Sequence, residues 1–369
     1  MRLSLRPIRS VLPILAFAWI VLVCSVVFPS GLAKKDEADA RERILNYLRE
    51  KYGVSGSTKM TVRPFEEFSS PSFYRTSVAV ESAGSQRNQQ LFLTKDCRYV
   101  IVGDAYPLGA NTNAEISRRI RKLANLSSKS RISVGPLRAS GIPHLLLTRI
   151  TVNEGGQEQA RDFYLTEDRK ALFVGEVFDL TSDPREEALR TISVRDCPTL
   201  GPADAPVTIV EFSDLQCTSC AQLDEFLRKE LVPKYGGKVR VVFKEYPLER
   251  IHDWTLTGSM VAQCASMLAP TTYVHLRALI FENQDHLNAH NARDRLLALG
   301  EQAGVNRTQL TACVDSGSTL PRIRKDLAEG EAMDVRATPT SFVNGHRILG
   351  MPSKSEYYKA VDDALQAAK

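Results

Sequence analysis

Cys217 and Cys220, separated by two residues, form the pattern in this chain that is best suited to chemistry. The pair follows an apolar, strand-like run over 207–212 and precedes apolar residues at helical spacing from Ala221 onward. A cysteine at the start of a helix meets unpaired N–H groups and the positive end of the helix dipole, and both stabilise its thiolate. The second cysteine, one turn later, can attack a mixed disulfide formed at the first. The spacing therefore predicts thiol–disulfide exchange, with Cys217 as nucleophile and Cys220 as resolving thiol.

A zinc site and an inert structural disulfide are the alternatives for the same pair. A closed zinc site needs two more ligands, usually from a second close pair. The other cysteines of the chain are isolated from one another, and its histidines lack metal-like spacing. An inert disulfide is disfavoured because a strand, a CxxC and a helix in succession are typical of a redox pair. We expect no metal and no cofactor.

A second landmark lies at residues 337–345, which read Ala-Thr-Pro-Thr-Ser-Phe-Val-Asn-Gly. Together with Phe-Ser-Asp-Leu-Gln-Cys-Thr-Ser-Cys at 212–220, this segment resembles DsbA-like thioredoxin-fold proteins. The resemblance implies an α/β thioredoxin fold in which Thr338 and Pro339 form a cis-proline loop opposite the CxxC and present backbone groups to a substrate peptide. The helical pattern at 357–365 fits the last helix of that fold. The alternative is a Thr-Pro pair that only starts an edge strand.

Glu211, six residues before Cys217, is the third feature that the resemblance covers. DsbA-like proteins keep a buried acid at this place, and burial raises the pKa of a carboxyl group. Glu211 is therefore a candidate to relay the proton of Cys220. Lys244, at the end of the strand-like run 239–244, is its expected partner. The alternatives are that Glu211 faces solvent or is only neutralised by Lys244.

The segment from about 249 to 331 is mostly helical in pattern. The resemblance identifies it as the helical insertion that distinguishes the DsbA-like branch, and implies a second, structural disulfide between Cys264 and Cys313. Two buried free thiols are the alternative. Cys97 and Cys197 remain, and whether they pair is left open because the sequence does not show that their Cα atoms come close enough.

The first 33 residues carry three arginines followed by an apolar stretch at 11–28. This pattern predicts either a cleaved secretory signal, with small residues at 31–33, or an uncleaved membrane anchor. The remainder is then expected in the periplasm or cell envelope, where disulfides form. The net charge is +5, and the basic residues are mixed with 43 acidic residues along the chain. We therefore expect no nucleic acid as a partner.

Residues 92–108 recur at 164–180, an offset of 72 that equals the separation of Gly103 and Gly175. The same offset aligns the chain without gaps from residue 44, which indicates an internal duplication. Each copy reads as a helix, at 41–51 or 114–123, followed by three or four strands.

Each copy resembles the N-terminal module of DsbC-like and DsbG-like disulfide isomerases. The resemblance implies two small α+β cystatin-like repeats, at 34–109 and 110–181, before a linker at 182–206 and the thioredoxin domain at 207–369. The repeats are expected to pair with each other or to form a homodimer. The alternative is a scaffold that only spaces the catalytic domain.

These patterns together predict an exported thiol:disulfide oxidoreductase that acts on cysteine-containing exported proteins and exchanges electrons with a membrane or periplasmic redox partner. The residues between the two cysteines, Thr218 and Ser219, lack the histidine of strongly oxidising DsbA proteins, so we expect a milder oxidant. An oxidase is the first expectation, and an isomerase or reductase of the DsbC or DsbG type the second. A non-catalytic chaperone or binding module is the third.

Overall fold

A computed structural model describes residues 32–82, 85–109 and 112–368. The chain divides into two compact units. The first consists of Met1–Leu45 and Lys59–Thr181, and the second of Asn46–Thr58 and Ser182–Lys369. The expected signal or anchor covers residues 1–33, and residues 1–31 lie outside the described part of the chain. Among the described residues, no helix has the length and apolar character needed to cross a membrane.

The first unit is built on a ten-stranded sheet in which two similar halves follow each other. The first half contains α1 (Lys34–Tyr52), of which the residues from Asn46 onward belong to the second unit, and β1 (Lys59–Val62), β2 (Glu66–Glu67), β3 (Phe73–Ser82), β4 (Ser85–Thr94) and β5 (Tyr99–Pro107). The second contains α2 (Thr112–Leu123), β6 (Arg131–Val134), β7 (Arg138–Ala139), β8 (Leu145–Glu154), β9 (Gln157–Thr166) and β10 (Ala171–Asp179). The strand order is β1-β3-β4-β5-β10-β9-β8-β6, with β2 on β3 and β7 on β8.

The two halves meet where β5 and β10 pair antiparallel, with Gly103 opposite Gly175. Each glycine faces its own counterpart at the offset of 72, so the register is symmetric about this point. A Cβ on Gly103 would lie 2.2 Å from the Val174 carbonyl oxygen, and one on Gly175 equally close to that of Val102. Only glycine fits at this crossing because the two backbones approach too closely for a side chain.

The observed elements extend the expected repeat. Both helices begin before the residues predicted for them, and each half has five strands rather than three or four, the additional ones being short. The hairpin turns agree closely: the Thr94 hydroxyl donates to Asp96, and the Thr166 hydroxyl to Asp168. Equivalent positions in the two halves therefore use the same local hydrogen bonds.

The second unit is built on a five-stranded sheet in the order β11-β13-β12-β14-β15. Its strands are β11 (Thr199–Leu200), β12 (Val207–Ser213), β13 (Val239–Glu245), β14 (Thr340–Val343) and β15 (His346–Leu349). Its helices are α3 (Pro184–Thr191), α4 (Thr218–Phe226), α5 (Val232–Tyr235), α6 (Thr255–Leu268), α7 (Tyr273–Glu282), α8 (Ala292–Gln302), α9 (Arg307–Ser316), α10 (Leu320–Ala332) and α11 (Lys354–Ala367). A π-helical turn at Leu227–Leu231 joins α4 to α5.

Strand β12 runs parallel to β13 and antiparallel to β14. A β-α-β half is thus completed by a β-β-α half, and the helices α6 to α10 are inserted between the two. This arrangement confirms the predicted thioredoxin fold with a helical insertion. Within the insertion, Cys264 on α6 is bonded to Cys313 on α9, with an S–S distance of 2.07 Å and a Cα–Cα distance of 5.9 Å.

Residues 182–206, expected as a linker, are instead folded into the second unit. Asp183 caps α3 by accepting a hydrogen bond from the backbone N–H of Arg185. Ala188 and Ile192 are buried in an apolar cluster with strand residues, and β11 pairs with β13. The turn residues of this stretch flank a capped helix and an edge strand rather than an open connection.

Candidate active site

The CxxC lies at the junction between the end of β12 and the start of α4. Cys217 occupies the N-cap position of α4 with extended backbone angles, φ −80° and ψ 122°. The backbone N–H groups of Cys220 and Ala221 donate to its carbonyl oxygen at 3.1 and 3.2 Å. Cys217 is half-buried whereas Cys220 is fully buried, and both thiols are free. One sulfur is therefore accessible, and the other lies behind it.

The two thiols have opposite electrostatic environments. A hydrogen bond from the Cys220 thiol, together with the backbone N–H groups of Cys220 and Ser219, lowers the pKa of Cys217 to about 5 despite partial burial. Burial raises the pKa of Cys220 well above its usual range, as do its hydrogen bond to Cys217 and the negative charge of Glu211. Near pH 7 the pair consists of an accessible thiolate and a buried thiol.

The Thr338–Pro339 loop lies beside the accessible sulfur. The Cys217 thiol donates to the Thr338 carbonyl oxygen at 3.5 Å, and the Thr338–Pro339 peptide bond is cis. Strand β14 follows directly and pairs with β12, placing Thr340 opposite Phe212. The structure thus brings together the two segments that carry the resemblance.

Glu211 lies in the core of the second unit, with none of its surface exposed. Both of its carboxylate oxygens accept hydrogen bonds from Nη2 of Arg277 on α7, at 3.0 and 3.1 Å. Burial raises the pKa of Glu211 to about 7, although the charge of Arg277 opposes the rise. The side chain is therefore an acid that can gain or lose a proton near neutral pH.

The prediction that Lys244 pairs with Glu211 is wrong. Lys244 Nζ instead contacts Asp326 at 2.9 Å and Glu329 at 2.8 Å. The register of β12 and β13 places Glu211 beside Phe243 and Lys244 beside Phe212. Since successive residues of a strand point to opposite faces, Lys244 lies on the other side of the sheet from Glu211.

Asp214 organises the turn that leads into the CxxC, and the sequence indicated only its turn chemistry. This buried carboxylate accepts four hydrogen bonds at 2.5–2.8 Å from neighbouring segments. The donors are the backbone N–H groups of Gln216 and Leu248, the Thr255 hydroxyl and Nδ1 of His252. Asp214 therefore ties the turn to the loop that follows β13.

Gln284, which the sequence did not single out, holds the same turn from the insertion. Its Nε2 donates to the carbonyl oxygens of Leu215 at 2.8 Å and Cys217 at 3.2 Å. Arg277 was missed as well. The available signal was a single arginine within the otherwise apolar run Leu276 to Phe281 of α7.

Among the described residues, Cys97 and Cys197 are free thiols. Burial raises the pKa of Cys97 in the first unit. Burial also raises that of Cys197 in the second, whose sulfur lies 2.9 Å from Nη2 of Arg322. Among the described residues, His, Cys, Asp and Glu side chains form no cluster suited to a metal ion.

Comparison with known proteins gives a family match for the second unit. A family model described as Thioredoxin matches residues 194–363. BdbD from Bacillus subtilis, in its oxidised form, is a similar solved structure, with 23% identity, a TM-score of 0.43, and coverage of 47% of this chain and 95% of that one. The thiol-disulfide exchange protein α-DsbA2 from Wolbachia pipientis has 16% identity, a TM-score of 0.44, and coverage of 49% and 93%.

Among curated proteins, the chain is similar to the Na⁺/H⁺ antiporter NhaA 1 of Mycolicibacterium gilvum, with 27% identity over 213 residues. That match covers 56% of this chain and 34% of the antiporter. NhaA 3 of Salinispora tropica is 29% identical over 169 residues, which cover 46% and 25% of the two chains. The chain thus spans about a third or less of the length of these relatives.

The family match, the sheet order and the inserted helices agree with one another. Residues 194–363 therefore match a family model described as Thioredoxin and have a thioredoxin fold with a helical insertion.

Proposed function

We propose that this protein is a protein-disulfide oxidoreductase that forms or exchanges disulfides in exported proteins through Cys217 and Cys220. The observation that carries the proposal is the environment of Cys217. Its half-buried sulfur lies at the start of α4, next to the Thr338 carbonyl, with its pKa lowered to about 5. A stabilised, accessible thiolate backed by a buried thiol is suited to reversible disulfide exchange.

The proposed oxidising cycle begins with a disulfide between Cys217 and Cys220. A substrate thiolate attacks Cys217 Sγ, so a mixed disulfide forms, the internal disulfide breaks, and Cys220 leaves and takes up a proton. A second substrate thiolate then attacks the substrate sulfur of the mixed disulfide and releases Cys217 as a thiolate. The substrate loses two electrons and the CxxC gains them. A redox partner in the membrane or periplasm must then reoxidise the pair.

Three further residues have roles in this cycle. Thr338 and Pro339 are proposed to bind the substrate peptide, because their backbone lies against the sulfur that the substrate must reach. Glu211 is proposed to exchange the proton of Cys220, since its pKa of about 7 makes it competent near neutral pH.

The direction of electron flow is proposed to favour oxidation of the substrate. A low pKa of the accessible thiol stabilises the reduced pair, and a protein with a stable reduced form is an oxidant. The value of about 5 for Cys217 lies between those of roughly 7 in thioredoxin and roughly 3.5 in DsbA. We therefore propose an oxidant milder than DsbA.

The first unit is proposed to arise from an internal duplication whose copies pair with each other. Support comes from the symmetric register of β5 and β10 about Gly103 and Gly175. Strands that pair within one chain need no second chain to cover their edges. The unit then serves as a scaffold for the redox domain, in the periplasm or cell envelope, after export directed by residues 1–33.

The reduction potential of the CxxC tests the proposal. The full chain is equilibrated in glutathione buffers and its thiols are trapped, with Cys217→Ser as the inactive control. We expect a value above roughly −200 mV, towards the roughly −120 mV of DsbA. A value near roughly −270 mV would instead support the reductase or isomerase. A pair that never responds to glutathione would overturn the enzyme, and suppression of client aggregation by a Cys217→Ser/Cys220→Ser variant would then favour a chaperone.

A further inference from the structure

Arg277 is a fully buried cation that α7 of the insertion places against Glu211 and Ser213 of β12, the strand that precedes the CxxC. Its Nη2 contacts both oxygens of Glu211 and donates to the Ser213 hydroxyl at 2.7 Å. Its Nε donates to Asp224 Oδ1 at 2.9 Å. The guanidinium also stacks over the ring of Phe243, 4.5 Å from the centroid. These contacts fix the group from several sides, so its position relative to Glu211 is defined.

Several ionisable groups besides Arg277 influence Glu211, and they come from three neighbouring elements. On α4 these are Asp224 and Cys220, on β13 Glu245, and on α11 Tyr357. Glu245 is held by the hydroxyls of Ser259 and Tyr273, and Tyr357 by Ser341. Asp224 has a second partner, Arg228, at 2.6 Å. Arg277 is thus the cation in direct contact with Glu211 in a region otherwise rich in acids.

We propose that Arg277 is a positioning residue that keeps the Glu211 carboxylate ionised and oriented to accept the proton of Cys220 in the resolving step. In that step the Cys220 thiol loses its proton to Glu211, and the resulting thiolate attacks Cys217 Sγ in the mixed disulfide. The Cys217–Cys220 bond forms, the bond from Cys217 to the bound thiol breaks, and that thiol leaves as a thiolate. This inference rests on the proposed function of the CxxC.

The chemistry of the guanidinium explains why this position suits arginine. An arginine stays protonated even when buried, whereas a lysine loses its proton more readily there. A buried carboxylate without a cation would favour its neutral form, which cannot accept a proton. The residue that keeps the base functional is therefore supplied by the inserted helices rather than by the β-α-β core.

Ellman's reagent tests the inference because one reaction reports on both thiols. Cys24, Cys97 and Cys197 are replaced by serine in every protein, so that only the CxxC thiols report. The reduced full-length protein then releases a first coloured thiolate when Cys217 attacks the reagent, and a second when Cys220 resolves the mixed disulfide. Both phases are followed by stopped flow across a range of pH. In Arg277→Met, the pH at which the rate of the second phase is half-maximal should rise by at least about one pH unit. Its rate at pH 7 should fall by about tenfold, while the first phase keeps its midpoint.

Matched variants separate charge from structure. Arg228→Met removes the other partner of Asp224, without contact to Glu211, and should leave the second phase as in the wild type. Arg277→Lys restores a positive charge without the planar fork and should give a midpoint between those of the wild type and Arg277→Met. Folding of each variant is checked by thermal unfolding monitored by circular dichroism.

A double variant tests the inference if Arg277→Met does not fold. Replacing a buried pair entirely is usually tolerated, so Glu211→Gln/Arg277→Met should fold. Its second phase should match that of Glu211→Gln alone, because Arg277 is proposed to act through Glu211. A second phase in folded Arg277→Met with the wild-type pH profile would overturn the inference, as would a double variant slower than Glu211→Gln. Loss of the first phase in the wild type would instead overturn the proposed function.

Discussion

The two units differ in the kind of polar group that they bury. Among the described residues of the first unit, the buried polar side chains are all hydroxyls: Ser70, Thr76, Thr94, Ser130, Thr148 and Thr166. The second unit buries carboxylates and cations, including Glu211, Asp214, Asp224, Lys244, Glu245, Arg277 and Asp326. Ser130, Thr76 and Thr148 find hydrogen-bond partners within their own half of the first unit. A buried charge needs a partner of opposite charge, which often comes from a distant segment.

This difference follows the division between scaffold and chemistry. Thr76 and Thr148, at equivalent positions of the two halves, each donate to a backbone carbonyl of their own half. Their role is complete once the strands pair. Buried charges are costly and add little stability. The group formed by Glu211, Arg277 and Asp224 is therefore a candidate for a role in ionisation. We expect perturbations of the first unit to affect folding, and perturbations of the second to affect thiol chemistry.

The largest effect on stability is expected from Gly103→Val in the first unit. The new Cβ would meet the backbone oxygen of Val174 at 2.2 Å, and a strand backbone cannot move away without losing its pairing. We expect a loss of more than about 4 kcal/mol in the free energy of unfolding, measured in urea by circular dichroism. The first phase with Ellman's reagent should persist at the wild-type rate.

Gly56→Ala serves as the control because open space surrounds that position. It should leave both the unfolding transition and the thiol reaction unchanged. A Gly103→Val protein with native stability would contradict the assignment of β5 and β10 as the junction of the two halves. Loss of the Cys217 reaction in that variant would show that the two units do not divide scaffold from chemistry.

An intermediate effect is expected from Cys264→Ser/Cys313→Ser. The bond closes a separation of 49 residues in the insertion, so its removal should lower the free energy of unfolding by about 2–4 kcal/mol. The potential of the CxxC should change little, since neither cysteine belongs to that pair. Cys197→Ser, which replaces a free half-buried thiol of the same unit, controls for the substitution itself. Equal unfolding midpoints for the double variant and this control would refute the structural role.

The last prediction concerns the pH dependence of stability. The pKa of Cys217 is about 5 in the folded reduced protein and about 8.5 in an unfolded chain. The unfolded chain therefore binds more protons between these values, and the reduced form gains stability as pH rises through this window. Below pH 5 that contribution is lost. The oxidised form has no such thiol. Burial raises the pKa of Cys220 in the folded reduced protein, so this thiol opposes the trend only as pH approaches its unfolded value of about 8.5.

Urea midpoints of both redox forms at pH 5, 7 and 8.5 measure this difference. We expect the urea midpoint of the reduced form to increase relative to that of the oxidised form as pH rises. Parallel profiles would mean that the Cys217 thiolate is not stabilised by folding. Alkylation sharpens the comparison, because Cys217 should react rapidly at pH 7 whereas buried Cys97, with its raised pKa, should react slowly.

Local signals located much of the second unit from sequence alone. A strand, a CxxC and a helix follow each other within a short stretch, and the Thr338–Pro339 segment has the composition of a turn before a strand. Glu211 could be predicted as a site residue because it lies six residues before Cys217 in the sequence. Its partner could not, because the choice between Lys244 and Arg277 depends on strand register and on how α7 packs. Tertiary packing decides such contacts, and single-sequence patterns do not encode it.

The similarity between residues 92–108 and 164–180 predicts the offset of 72 between the halves but does not reveal how they join. The glycine pair at 103 and 175 is visible in the sequence, but each glycine alone is compatible with a turn, a bulge or a close approach. Likewise, the turn signals in residues 182–206 predict a linker, although Asp183 caps α3 and Pro184 is its first residue. Both outcomes depend on contacts between distant segments.

The symmetric crossing at Gly103 and Gly175 has a consequence for how this protein can evolve. In a homodimer one gene encodes both halves, so every substitution appears twice and must suit both sides of the axis. Here each half has its own codons, and association does not depend on protein concentration because the halves are covalently linked. Cys97, whose counterpart is Arg169, already illustrates such divergence. One half can therefore acquire a new surface while the other preserves the fold.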